Sequence, residues 1–246
     1  MPTNDNTTAN SNTNTDNNNN TPDLTSYLQV HRALRASNGQ LVAALGTAVP
    51  TDVTQRAAKA LHRWFAGYQG ELRSHHEIED RLFFPALAAR VPAYAEYAST
   101  LSDDHHRLDT VIDRLDAAIA TMAGGTTQPN IARERALAHA VEMRDLMSEH
   151  LDFEDSDILP MFERNFGADE YADLDKQALK EIAVRQALFT APWWMATAEP
   201  EAAAKTLSEA PIALKVVYRL TRRRYARLTD RAFGHVTASR AVRSRS

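Results

Sequence analysis

The chain has 246 residues, a net charge of −4 and no cysteine. That length allows one domain with appendages or two small domains. The missing cysteine excludes disulfides, thiolate metal sites and a catalytic thiol, so any metal site must be built from histidine and carboxylates. A hydrophobic share of 43% and a charged share of 24% are those of an ordinary globular protein.

The first 20 residues, MPTNDNTTANSNTNTDNNNN, are mostly Asn and Thr. They have neither the basic start nor the apolar core of a secretory signal, and nothing to bury, so residues 1–23 read as a disordered tail. No stretch approaches the roughly 20 apolar residues of a membrane helix, and a cytoplasmic protein is expected. From residue 24 onward Ala, Leu, Glu and Arg dominate and β-branched alternation is missing, which predicts helix with almost no strand. Breaks at GTAVPTD, RVPA, AGGTTQPN and NFGADE cut residues 24–167 into segments of about 24–46, 52–90, 93–122 and 130–165. Thr51 or Asp52 is placed to cap the second segment and Asn130 the fourth. Pro85 and Pro160, late in their segments, are expected to kink or end the helix. Each segment repeats apolar residues at three- and four-residue spacing, such as Leu61, Trp64, Phe65, Tyr68 and Leu72. The expected fold is all-α: an up-down-up-down four-helix bundle, followed by a helical extension over 168–246 with a basic tail.

Two stretches in this region match. HHEIEDRLFFPAL begins at His75 and HLDFEDSDILPMF at His150, 75 residues later. Each has Glu four residues after the histidine (Glu79, Glu154) and Pro six residues after that (Pro85, Pro160). The first and third segments each add H-x-x-L, with His31 and His105 lying 74 residues apart. The domain therefore reads as two helical hairpins of one design. On a helix, residues i and i+4 share a face, and apolar neighbours put that face inward. Buried charge is costly unless it is paired or bound to metal. Four imidazoles (His31, His75, His105, His150) and two carboxylates (Glu79, Glu154) converging from four helices suggest a dinuclear metal centre with bridging carboxylates. Mixed His and carboxylate ligands suit Fe, Mn or Zn. His76 and His106 lie a further ~100° round their helices, and read as partners to the ligands or as exposed. His62 reads as surface, and His139 as core or a second layer. Tyr27, one turn before His31, is a hydrogen-bond donor to the centre, a phenolate ligand or a core residue.

The ordered series His31, His75 with Glu79, His105, and His150 with Glu154 resembles the hemerythrin-like, or HHE cation-binding, family over residues 24–167. The resemblance implies a four-helix bundle with a non-haem site of two iron ions, Mn or Zn being less favoured, that meets a small diatomic or peroxide ligand. It implies that Glu79 and Glu154 bridge, that His31 and His75 hold the more open iron, and that His105 and His150 hold the other. Oxygen-carrying members have a second histidine four residues after the third-helix one, where this chain has Asp109, and end in H-x-x-x-x-D, where this chain has Glu154 at the fourth position and Asp155 at the fifth. The second iron is then under-ligated, or takes Asp109 or a solvent molecule. Redox or sensing is favoured over pure oxygen carriage, with a non-enzymatic oxygen or iron binder as the alternative. Arg35 and Asp109, each one turn after its hairpin's first histidine, are placed to pair, a plain surface salt bridge being the alternative.

In the extension, Asp169–Leu188 reads as a further helix, and Trp193 and Trp194 as anchors on the bundle, a lid over the metal end being the sharper idea. Pro211–Leu228 mixes Ile212, Leu214, Val216, Val217 and Leu220 with Arg219, Arg222, Arg223, Arg224 and Arg227. A docked helix with a solvated basic face is expected, since burying three of the aliphatics would contribute on the order of 4 to 9 kcal/mol. The alternative is an interaction module, switched by the metal centre, that meets an anionic membrane or nucleic acid through the arginines. No nucleic acid is expected at the bundle itself.

Overall fold

A computed structural model describes residues 20–47, 51–182 and 184–243. The disordered-tail reading falls on residues 1–19, outside the described residues, and the side chains of Thr51 and Asp52, the expected caps, are likewise outside what is described. Residues 20–23, read as the end of that tail, pack against the fold: Pro22 is buried, and the Asn20 carbonyl accepts the Ala168 N–H at 3.1 Å.

Among the described residues the chain is all-helical, with no strand. Its long helices are α1 (Thr25–Gly46), α2 (Thr51–Ile78), α4 (Ala98–Gly124) and α5 (Pro129–Phe153). Helix α5 packs against both α1 and α4, and α4 against α2. Gly125, at φ +84°, turns the chain out of α4. Asn130 is not the cap of α5. Pro129 already occupies the first turn, where its missing N–H costs nothing.

At Glu79–Phe83 and again at Glu154–Ile158 the winding widens to a π-helical turn, before short helices α3 (Phe84–Arg90) and α6 (Leu159–Asn165). The N–H groups of Phe84 and Leu159 bond the carbonyls of Glu79 and Glu154, five residues back. The next residue in each copy is a proline, which lacks an N–H and whose ring crowds the carbonyl four residues earlier. The wide turn absorbs that conflict. Pro85 and Pro160 therefore do not end their helices, which run on to Arg90 and Asn165. Such turns concentrate at functional sites, and here both fall on the duplicated Glu.

The interior has two apolar clusters. One holds Leu34, Leu41, Trp64, Tyr68, Leu72, Leu115 and Met147 from the four long helices. The other holds Tyr27, Phe83, Leu87, Leu101, Ile158 and Phe162. In α1, α2 and α4 the duplicated histidines fall between the two clusters in sequence, and in α5 His150 lies one residue before Leu151, the last of the first cluster.

The helix expected over Asp169–Leu188 is two helices. It stops at Glu181 as α7 (Ala168–Glu181), and α8 (Val184–Thr197) then carries the TAPWWM segment through Pro192. Trp193 is buried and donates its Nε1–H to Ser37 Oγ at 2.9 Å, while Trp194 packs at the core's edge. Gly67 and Gly70 let α8 approach α2, since a Cβ at either would collide with Phe189 or Gln186. Those contacts anchor α8 to the side of the first cluster, so the tryptophans form no lid. The element against the first π-helical turn is α7, whose Tyr171 meets Phe83 and Phe162.

After α9 (Pro200–Glu209) comes α10 (Ile212–Arg243). Its later part docks on the bundle. Phe233 meets the Trp64 ring edge-on at 4.8 Å, and Trp64 Nε1 donates to the Tyr225 hydroxyl at 3.3 Å. The docked helix expected at its start is not found: Ile212, Leu214, Val216 and Leu220 are exposed, and only Val217 is partly covered. Among the described residues no helix is long and apolar enough to cross a membrane.

Candidate metal centre

The two duplicated motifs meet. His75 and Glu79 come from the end of α2 and its π-helical turn, and His150 and Glu154 from the end of α5 and its turn. His31 comes from α1 and His105 from α4. All six are buried or nearly so, Glu79 and Glu154 being 1% and 0% exposed.

Each carboxylate divides its oxygens between two sides. Glu79 Oε1 lies 3.1 Å from His75 Nε2, and its Oε2 lies 3.6 Å from His105 Nε2. Glu154 Oε2 lies 3.2 Å from His31 Nε2, and its Oε1 lies 3.4 Å from His150 Nε2. One side therefore gathers His31, His75, Glu79 and Glu154, and the other Glu79, His105, His150 and Glu154, with donor atoms in each set within 4.8 Å of one another.

Outside these atoms a second set of carboxylates orients the rings. Asp155 accepts from His31 Nδ1 at 2.7 Å, and Asp80 accepts from His105 Nδ1 at 3.1 Å. The residue after each of the two Glu thus fixes the histidine of the other hairpin, which leaves Nε2 as the free lone pair. Arg35 holds Asp155 at 2.8 Å and Asp152 at 2.7 Å. Arg35 and Asp109 do not pair with each other. Asp109 instead makes a plain salt bridge, the alternative reading, with Arg73 at 2.8 Å, and it is in none of the clustered donor sets among the described residues.

His76 is the residue that the sequence left undecided. It is buried, stacked on His105 with ring centroids 4.1 Å apart, and grouped with His105 and His150 as a third set of possible ligands. Its four-residue offset from the core residue Leu72 could have flagged it, but helical angle alone does not separate an inward from a tangential side chain. His106 is exposed and bonds the Ser102 carbonyl. His62 is half-exposed beside Asp116, and His139 is half-buried beside Glu142. Tyr27 is buried over the His31 and His75 rings, at 4.7 and 5.8 Å between centroids, and its hydroxyl donates to Glu79 Oε1. A cleft of about 130 Å³ between α2 and α4 reaches His76 and His105 from the surface, past Glu77, Asp80 and the Arg73–Asp109 pair.

The electrostatics match a site made for cations. Burial, then the neighbouring imidazoles, pushes His75 and His76 well below the ordinary histidine value, and burial lowers His150. Neutral imidazole is the form that binds metal. Burial and the facing Glu154 push Glu79 up, whereas His150 and His31 hold Glu154 down despite its burial. His31 is raised against its burial by Asp155 and Glu154. Of fourteen buried side-chain nitrogens and oxygens without a hydrogen-bond partner among the described residues, ten belong to His31, His75, His76, Glu79, His105, His150 and Glu154. Orphaned buried polar atoms are rare and costly. Metal ions would supply the missing partners, and the donor set fits them.

No curated protein and no solved structure matches the chain. The family model described as the hemerythrin HHE cation binding domain matches residues 24–162. That span exceeds half of the 246 residues and contains every residue of the centre, so the chain belongs to the hemerythrin HHE cation-binding family.

Proposed function

We propose that the chain is a non-haem di-iron protein, an up-down-up-down bundle that reacts with O₂, peroxide or NO as a redox sensor or oxidoreductase. The observation that carries this reading is the split of each buried carboxylate between two imidazole clusters. Glu79 and Glu154 would bridge. His31 and His75 would hold the first ion, and His105 and His150 the second, with His76 as its third imidazole. The ion expected to lack a ligand is thereby supplied from α2, and Asp109 is not needed. When bound, such a pair exchanges electrons and takes small ligands at an open position; zinc would hold the same residues without redox chemistry.

The chain's own residues argue where a ligand enters. The two-histidine side has fewer protein donors, and it is the side that Tyr27 covers with a phenol. The Tyr27 hydroxyl has one proton, which Glu79 Oε1 accepts; turning that O–H away from Glu79 would offer it to a ligand at that side. Burial and the two glutamates push the Tyr27 phenol well above the usual tyrosine range, so in the metal-free site it keeps its proton. Tyr27, Phe83 and Ile158 exclude bulk water there.

Iron analysis after anaerobic reconstitution tests the reading. It expects two iron ions per chain, and a ratio near zero would overturn it. Catalytic consumption of peroxide or NO supports the oxidoreductase. Reversible O₂ uptake without turnover would instead make the protein a binder.

A further inference from the structure

The outward face at the start of α10 combines two features that usually avoid each other. Ile212, Val216 and Leu220 are spaced by four residues, so they run along one face, and they are 80%, 50% and 75% exposed. Arg219, Arg223 and Arg227 fall on the same stripe and are exposed as well. The docked side of the helix, with Tyr225, Leu228 and Val236 against the bundle, lies on the opposite face. The stripe is therefore not core left uncovered by a slip in register.

Charge is segregated along the chain. Residues 211–246 carry ten Lys or Arg and one Asp, whereas residues 1–210 carry 18 Lys or Arg and 31 Asp or Glu. A partner must satisfy both the aliphatic stripe and the cations. Nucleic acid would answer only the cations. A second α10 would set arginines against arginines. Elsewhere on the described surface, large exposed aliphatics stand singly: Leu28 on α1, Ile131 on α5, Leu179 on α7 and Leu188 on α8. A second copy therefore offers no apolar patch to match the stripe.

We propose that α10 docks this protein on an anionic lipid surface, with Ile212, Val216 and Leu220 entering the headgroup boundary and Arg219, Arg223 and Arg227 meeting lipid phosphates. An amphipathic helix lying in the interface plane has this composition, and each basic side chain near an anionic surface adds to the attraction. The bundle keeps its acidic surface away from the bilayer, and the metal centre, on other helices, is untouched by docking.

Co-sedimentation of the full, metal-loaded chain with vesicles tests this. Vesicles of phosphatidylcholine and phosphatidylglycerol should bind it at least about tenfold more tightly than phosphatidylcholine alone, and the difference should shrink with added salt. The triple variant Ile212→Ser, Val216→Ser, Leu220→Ser changes only exposed positions, so its helicity and metal content should be unchanged while vesicle binding is lost. Equal binding to both vesicle types, or unchanged binding by the triple variant, would overturn the proposal. So would duplex DNA binding that the triple variant retains without any vesicle binding, or a dimer, seen by sedimentation velocity without lipid, that the triple variant abolishes.

Discussion

The half of the centre built by the first hairpin and the half built by the second share a frame but not a lining. His31 and His105, His75 and His150, Glu79 and Glu154, and Asp80 and Asp155 occupy matched places, and each Glu–Asp pair reaches into the other hairpin's histidine. The lining then departs from the repeat: Tyr27 stands where the second hairpin has Leu101, and His76 where it has Leu151. Away from the centre, under α8, Glu71 stands where it has Leu146. These departures put polar groups on the first hairpin. On the proposed reading, a duplicated scaffold would carry two unlike ion sites: five imidazoles would divide two against three, with the phenol on the poorer side. Symmetry would supply the bridge, and the breaks in symmetry the difference between the two ends of it.

Removing a shared element should harm both halves. Glu154→Ala or Glu79→Ala is expected to take metal content from two ions per chain to near zero by elemental analysis, because each carboxylate faces both sides. Retention of one full equivalent by either variant would mean that the carboxylate serves one half only. Restoring the repeat at one position should separate the halves. His76→Leu, which copies Leu151, should leave one tightly held ion and lose the second, a stoichiometry of about one by titration against a chelator.

Glu71 sharpens the contrast through stability. Burial under α8 pushes its carboxyl up to about 7, against the hydrogen bonds from Thr190 and Gln186 that favour the charged form. The folded state then keeps a proton that the unfolded chain has already lost between pH 4.5 and about 7. Stability falls as pH rises through that window, by up to roughly 3 kcal/mol. Glu71→Gln keeps an oxygen for both donors and does not titrate. It should therefore gain on the parent protein as pH rises from 5 to 8, measured by urea denaturation, and a pH-independent difference would contradict the assignment.

Asp80→Asn and Asp155→Asn probe the crossed ring supports. Each should weaken metal binding by about 10–100-fold, and Asp155→Asn should cost more, because it also releases Arg35. Equal effects would show that the arginine contributes nothing to the centre. The mildest change is Tyr27→Phe. It should keep both ions, cost about 1–3 kcal/mol by removing a donor from buried Glu79, and alter the spectrum of an azide or NO adduct. His76→Leu should leave that adduct's site in place.

The sequence by itself determined the all-helical class, the hairpin repeat and the six converging residues, because these depend on local quantities: helical propensity, three- and four-residue apolar spacing and i,i+4 geometry. His31, His75, Glu79, His105, His150 and Glu154 could be named from spacing, since a one-turn offset fixes a shared face whatever the neighbouring helices do. Tertiary structure alone decided the rest. His76 sits about 100° from His75 on an ideal helix, and only the approach of α4 and α5 makes that direction an inward one. The pairing of Asp155 with His31 and of Asp80 with His105 crosses between hairpins, so no local spacing encodes it. Asp109 had the right offset for a ligand, yet Arg73 on the neighbouring helix claims it. The prolines were legible as disturbances, but whether a helix ends or widens depends on what continued packing gains: here α3 and α6 bury Leu87 and Phe162, which holds the chain helical past Pro85 and Pro160. The start of α10 had the composition to dock, and only the reach of the bundle decided that Ile212, Val216 and Leu220 find nothing to dock against.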